Sequence, residues 1–278
     1  LGKYKCAEVP LPGGCDIGAR PIDLHLKNFR RIGIKITENS RYIECICDKI
    51  ESKKIELDFP SVGATENLIL ATVLGNQEII INNAAKEPEI IDLANFLNKM
   101  GAKIYGAGTN TIKVIGVVKL RNTSYRVMPD RIEAGTLLIA GAITGGVINI
   151  CNVIPEHISS VTSKLIEAGC QIKIDQNSIY LKSSNRLKSV DITTMPYPGF
   201  PTDLQPQFSS MLTVCKGTSI IRENIFENRF KYIQEIQRMG AKATDHEKTL
   251  IIKGVRKLHG ANVESSDLRG GAALVIAG

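Results

Sequence analysis

Residues 90–103 read "IIDLANFLNKMGAK", and the phrase returns twice, as "ISSVTSKLIEAGCQ" over 158–171 and "YIQEIQRMGAK" over 232–242. A fainter copy, "HLKNFRRIGIK", covers 25–35. Within each copy apolar residues recur at helical spacing, for example Ile158, Val161 and Leu165, which gives one buried stripe. Each copy closes on a glycine: Gly33, Gly101, Gly169 and Gly240, at intervals of 68, 68 and 71 residues. Glycine takes the left-handed conformation at a helix end without steric cost. Short alternating segments follow, such as those carrying Ile112 and Val114, or Ile179 and Leu181, and they read as strands.

A second helix belongs to each cycle. The four are "SVGATENLILATVLG" from Ser61, "PDRIEAGTLLIAGAIT" from Pro129, "PTDLQPQFSSMLTVC" from Pro201 and "SSDLRGGAALVIAG" from Ser265. Strands such as "EIIINNA", "VINICNV" and "TSIIREN" come after them. A cycle of about 70 residues with two helices and several strands exceeds the 20 to 50 residues of a solenoid repeat. It reads as a repeated α/β supersecondary subdomain. The second helices each begin with Ser or Asp at or near the N-cap: Ser61, Asp130, Asp203 and Asp267. Plain capping accounts for any one of them. Several such helices with their N-termini converging on one cleft would favour a phosphate-bearing ligand.

Composition narrows the function. The chain has 278 residues and a formal net charge of +7, with the basic residues dispersed. Aromatics make up 5% and Trp is absent, which argues against the basic stripe with interleaved aromatics of a nucleic-acid surface. A small, multiply charged anion accounts for the same charge. No apolar run approaches the roughly 18 residues of a membrane span. The seven cysteines, an odd number, suit a reducing compartment, so a cytoplasmic location is expected. Most of them lie in apolar segments, where a thiol behaves as a small buried hydrophobe. Cys45 and Cys47 should share one sheet face. Neither they nor His25, His157, His246 and His259 have metal-site spacing, so no metal and no cofactor is expected. His25 is expected near the cleft because it follows the loop described next. The chain opens on Leu1 and closes on an apolar run as if cut in mid-helix, so a fragment is expected.

One loop stands apart. "VPLPGGCDIGARP", residues 9–21, places Cys15 after two glycines and five residues before Arg20. Gly13 and Gly14 allow a close backbone approach to a ligand. A thiol near cations gains thiolate, while Asp16 opposes that gain. Arg20 can fork onto phosphate or carboxylate.

Six segments, in order, carry a resemblance: "LPGGCDIGARPIDLH", "NNAAKEPEI", "PDRIEAGT", "FPTDLQPQF", "FENRF" and "SSDLRGGAA". Together they resemble the UDP-N-acetylglucosamine 1-carboxyvinyltransferase family of enolpyruvyl transferases, through essentially the whole chain. The resemblance implies an α/β (α+β type) fold of two inside-out α/β barrel domains, each built of βαβαββ-like subdomains with helices within. Residues 1–128 would form most of one domain, carrying the catalytic loop, and 129–278 part of the second; the fold would be incomplete at both ends. The implied reaction transfers the enolpyruvyl group of phosphoenolpyruvate to the 3′-hydroxyl of UDP-N-acetylglucosamine and releases phosphate, an early step toward bacterial peptidoglycan. The oligomeric state is left open.

The resemblance also implies roles. Cys15 matches the proton donor that forms a pyruvate adduct and is alkylated by fosfomycin. Asp203 matches the acid/base carboxylate near the sugar hydroxyl, Arg269 a cation for phosphoenolpyruvate, and Asp267 a carboxylate of the same site. Arg20, Pro21, Ile22, Asp23 and Leu24, with Ser61, Val62 and Gly63, match nucleotide-sugar segments. Ile225 matches an apolar contact to that ligand and Arg229 a cleft arginine. Two departures appear. Phe59 stands where the family often has Lys, and "DLRGG" carries two glycines that should loosen a helix start by roughly 1 kcal/mol each. Because further cationic residues of the family lie outside these 278 residues, the isolated chain is expected to have little or no turnover. Two alternatives are the related transferase acting on shikimate 3-phosphate, which lacks such a loop cysteine, and a non-catalytic nucleotide-sugar-binding paralogue. RNA-end binding on a related repeat fold lacks the nucleic-acid footprint.

Overall fold

The computed structural model describes residues 1–10, 22–184 and 186–278. The described chain divides into two compact units, one ending at Met128 and one beginning at Pro129.

The first unit opens with β1 (Cys6–Pro10), α1 (Asp23–Arg31), β2 (Lys35–Glu38) and β3 (Tyr42–Ile46), in a sheet of order β1-β3-β2. It continues with β4 (Lys53–Glu56), α2 (Val62–Thr72), β5 (Glu78–Asn82), α3 (Pro88–Lys99), β6 (Lys103–Tyr105) and β7 (Thr111–Ile115). These strands form a second sheet of order β4-β5-β7-β6, in which only the β4–β5 pair is parallel. The α2 crossover between β4 and β5 explains that pair, since parallel neighbours need a crossover connection.

The second unit repeats the plan. It has α4 (Arg131–Ile143), β8 (Val147–Cys151), α5 (Ser159–Ala168), β9 (Gln171–Asp175) and β10 (Ser178–Lys182), with sheet order β8-β10-β9. Then come β11 (Ile192–Thr193), α6 (Gln205–Leu212), β12 (Thr218–Arg222), α7 (Tyr232–Arg238), β13 (Lys242–His246) and β14 (Thr249–Lys253). Their sheet order, β11-β12-β14-β13 with β11–β12 parallel, copies that of the first unit. The last helix is α8 (Leu268–Ala277).

The periodicity explains these elements. All four repeat glycines follow their helices with positive φ, at 91°, 99°, 111° and 94°. Ile112, Val114, Ile179 and Leu181 are each fully buried, as strict alternation on a half-buried strand demands. Each unit has its own core, around Leu68, Ile79 and Ile112 in the first and Leu138, Phe208 and Ile233 in the second. The strands described here form four separate open sheets, so the expected barrel is not a closed ring of strands.

In the second unit α6 is the helix within: every residue from Gln205 to Leu212 is buried. Three of its polar side chains donate to neighbouring helices. Gln207 Nε2 donates to Thr136 Oγ1 of α4 at 3.1 Å, Ser210 Oγ to the Ala273 carbonyl of α8 at 2.7 Å, and Gln205 Nε2 to Tyr232 Oη of α7 at 2.8 Å. Burial raises the Tyr232 hydroxyl well above the usual tyrosine pKa, so it stays a neutral hydrogen-bonding group.

The described thiols divide into two groups. Cys45, Cys47, Cys170 and Cys215 are buried, but Cys6 and Cys151 are exposed. Burial raises the pKa of each of the four, for Cys215 to about 12, which makes them inert packing groups.

Candidate active site

In the second unit the start of α8 is well capped. Asp267 Oδ1 accepts from the backbone N–H groups of Arg269 and Gly270, both at 3.0 Å. This cap works against the loosening expected of the two glycines. The glycines also make room, because a Cβ on Gly270 would lie 2.7 Å from Asp267 Oδ2.

Asp203 behaves differently. It sits inside the 3₁₀ turn Thr202–Leu204 that leads into α6, between Pro201 and the Pro206 of the first helical turn, and its side chain caps nothing. The expectation of N-capping at Asp203 is therefore wrong. Its carboxylate instead accepts from two guanidinium groups, Oδ1 from Arg229 Nη2 and Oδ2 from Arg269 Nη2, each at 2.9 Å.

The two arginines are not equivalent. Arg229 is 3% exposed, lies over the Phe226 ring at 5.4 Å, and brings Nη1 to 3.9 Å from Asp267 Oδ1. It is a buried brace between two carboxylates. Arg269 is 27% exposed and Asp203 40% exposed. This pair therefore faces solvent. A carboxylate has about four lone-pair positions, so two bonds leave Asp203 acceptor capacity toward that side.

In the first unit two predicted segments are brought together. Ile22 precedes α1, Asp23 and Leu24 open it, and Ser61 caps α2 by accepting from the Ala64 N–H at 3.3 Å. Gly63 packs so closely on α1 that a Cβ there would sit 3.1 Å from His25 Nε2. His25 thus joins Ile22–Leu24 to Ser61–Gly63. Burial lowers its pKa below the ordinary histidine value, against opposing contributions from the Gly63 backbone, Asp23 and the Ile22 backbone. Phe59, just before this segment, is 40% exposed.

Comparison with other proteins shows the family. The EPSP synthase (3-phosphoshikimate 1-carboxyvinyltransferase) family matches residues 1–278. The chain is 53% identical, over 278 residues, to UDP-N-acetylglucosamine 1-carboxyvinyltransferase 1 of Caldanaerobacter subterraneus subsp. tengcongensis, covering 100% of this chain and 67% of that protein. The chain belongs to the UDP-N-acetylglucosamine 1-carboxyvinyltransferase family of enolpyruvyl transferases. The UDP-N-acetylglucosamine 1-carboxyvinyltransferase from Finegoldia magna is 50% identical over 271 residues, covering 96% of this chain and 64% of that one. The chain thus spans about two thirds of the length of these relatives. Among solved structures, the enolpyruvyl transferase NikO from Streptomyces tendae shares the fold, with a TM-score of 0.86 at 20% identity over 99% of this chain and 66% of that one.

For this enolpyruvyl transferase, the expected residues divide into three sets and one further residue, Ile225. Asp203, Arg229, Asp267 and Arg269 form one contiguous cluster in the second unit. Ile22, Asp23, Leu24, Ser61, Val62 and Gly63 form the α1–α2 junction in the first. Cys15, Arg20 and Pro21 lie outside the described residues. Ile225 is half-buried in the segment leading to Arg229. Among the described residues no cluster of three or more His, Cys, Asp or Glu side chains is placed to hold a metal, and no helix is long and apolar enough to cross a membrane.

Proposed function

We propose that the protein transfers the enolpyruvyl group of phosphoenolpyruvate to the 3′-hydroxyl of UDP-N-acetylglucosamine, releasing phosphate for peptidoglycan precursor synthesis in the cytoplasm. The observation that carries this reading is whole-chain identity of 53% to a UDP-N-acetylglucosamine 1-carboxyvinyltransferase. It is supported by a half-open carboxylate, Asp203, held between two guanidinium groups.

In this reading Asp203 accepts the proton of the sugar hydroxyl as the oxygen attacks C2 of phosphoenolpyruvate. Cys15 supplies the proton that C3 gains. Elimination then removes a proton from C3 and expels phosphate from C2. Arg269, the partly exposed arginine, serves the anionic substrate. Arg229, buried, keeps Asp203 and Asp267 in register. The α1–α2 junction, with Ile22–Leu24 and Ser61–Gly63, serves the nucleotide sugar together with Arg20 and Pro21, and Ile225 gives an apolar contact. A loop thiol of this reactivity is the group fosfomycin would alkylate.

Phosphate release by the natural full-length protein tests the reading. It should require both phosphoenolpyruvate and UDP-N-acetylglucosamine, and Cys15→Ser should depress it. Release that depends on shikimate 3-phosphate instead would favour the other branch of the family.

A further inference from the structure

Glu223 follows β12 and is 1% exposed. A buried carboxylate is tolerated only when its oxygens are hydrogen-bonded. Here four donors converge on it. Oε1 accepts from Thr194 Oγ1 at 2.8 Å, the Ile225 N–H at 2.9 Å and the Phe226 N–H at 3.2 Å. Oε2 accepts from Thr202 Oγ1 at 3.1 Å. Thr194 in turn accepts from the Asn224 N–H at 2.9 Å, which closes the network.

Three of the four donors belong to two functional segments. Ile225 and Phe226 begin the stretch that carries the apolar contact and, at Arg229, the brace under Asp203. Thr202 is the residue before Asp203. One buried carboxylate therefore ties the backbone of one segment to the side chain of the other.

We infer that Glu223 is a positioning residue of the proposed reaction, fixing the Ile225 segment and the Asp203 turn relative to each other. The inference rests on the proposed function. Oε1 has to accept, because the Ile225 and Phe226 N–H groups can only donate and Thr194 Oγ1 already accepts from Asn224, and a carboxylate makes these bonds charge-assisted. Glutamine keeps the shape but puts an NH₂ on one side, and Thr202→Val cuts only the link to Asp203.

Steady-state kinetics of the full-length protein with both substrates would test this. Thr202→Val should lower kcat about tenfold with the nucleotide-sugar KM nearly unchanged, the scale of one charge-assisted hydrogen bond. Glu223→Gln should also raise the nucleotide-sugar KM by about tenfold, while the phosphoenolpyruvate KM moves less. A role in folding alone would lower the melting temperature of both variants and leave kcat and KM within about twofold of wild type, overturning the inference; the scale of a neutral effect is that of ordinary surface substitutions. If Glu223→Gln does not fold, Thr202→Val decides alone. Wild-type protein without sugar-dependent phosphate release would remove the proposed function, and this inference with it.

Discussion

Asp203 Oδ1 and Arg229 Nη2 meet at 2.9 Å, and the arginine is 3% exposed while the carboxylate is 40% exposed. The pair is thus a buried brace beneath a reachable carboxylate. Arg229→Ala would leave Asp203 with Arg269 alone and take the Arg229 cation away from the buried Asp267. It should destabilise the protein by about 3 kcal/mol, the usual cost of leaving a buried charge unpaired. Asp203→Asn keeps the shape, removes the proton acceptor and should abolish turnover with a much smaller stability loss. Denaturant unfolding beside phosphate-release assays separates the two.

Asp267 does two jobs that substitution can separate. It caps α8 through two N–H groups and faces Arg229 at 3.9 Å. Asn is as good an N-cap as Asp, whereas Ala costs about 1–2 kcal/mol. Asp267→Asn should therefore hold the unfolding midpoint near wild type and lower kcat. Asp267→Ala should lower both. Equal stability loss in the two variants would place the value of Asp267 in its charge.

Glu66 on α2 carries a raised pKa, from burial first and then from the charges of Glu89 and Glu87. A carboxylate whose folded pKa exceeds its unfolded one binds more protons when folded, so it costs stability as pH rises through that window. Above the folded pKa the penalty is complete; below the ordinary carboxylate range it is absent. Glu66→Gln should raise the melting temperature near neutral pH and give no gain at about pH 4. A gain of the same size at both pH values would contradict the assignment.

His25 has the opposite dependence. Its folded pKa is lowered, mainly by burial. As pH falls through the ordinary histidine range of about 6.5, the unfolded chain protonates first, and stability drops until the folded value is reached. Wild-type protein should lose more stability than His25→Gln between about pH 7.5 and pH 5.5. Parallel losses would assign the acid sensitivity to other groups.

Much of the fold was legible because it is local and repeated. The stripe of Ile158, Val161 and Leu165 and the glycine behind it are set by helix geometry, and the glycine takes φ of 111° as that geometry requires. The ends of the second helices were less legible. Ser61, Asp130 and Asp267 cap as a Ser or Asp before an apolar run should. Asp203 looks the same in sequence, but two flanking prolines convert its turn to 3₁₀ and two distant arginines take its carboxylate. That outcome depends on residues 26 and 66 positions away, which no local pattern carries. Glu223 was missed for the same reason. A Glu after a strand reads as a solvated end, and its burial comes from Thr194 and Thr202.

The most direct test of the central claim is the substrate dependence of phosphate release by the full-length protein. With phosphoenolpyruvate and UDP-N-acetylglucosamine together, phosphate should appear in step with enolpyruvyl UDP-N-acetylglucosamine, and Asp203→Asn should stop it. Phosphate release that ignores the nucleotide sugar, or that survives unchanged in Asp203→Asn, would contradict the account.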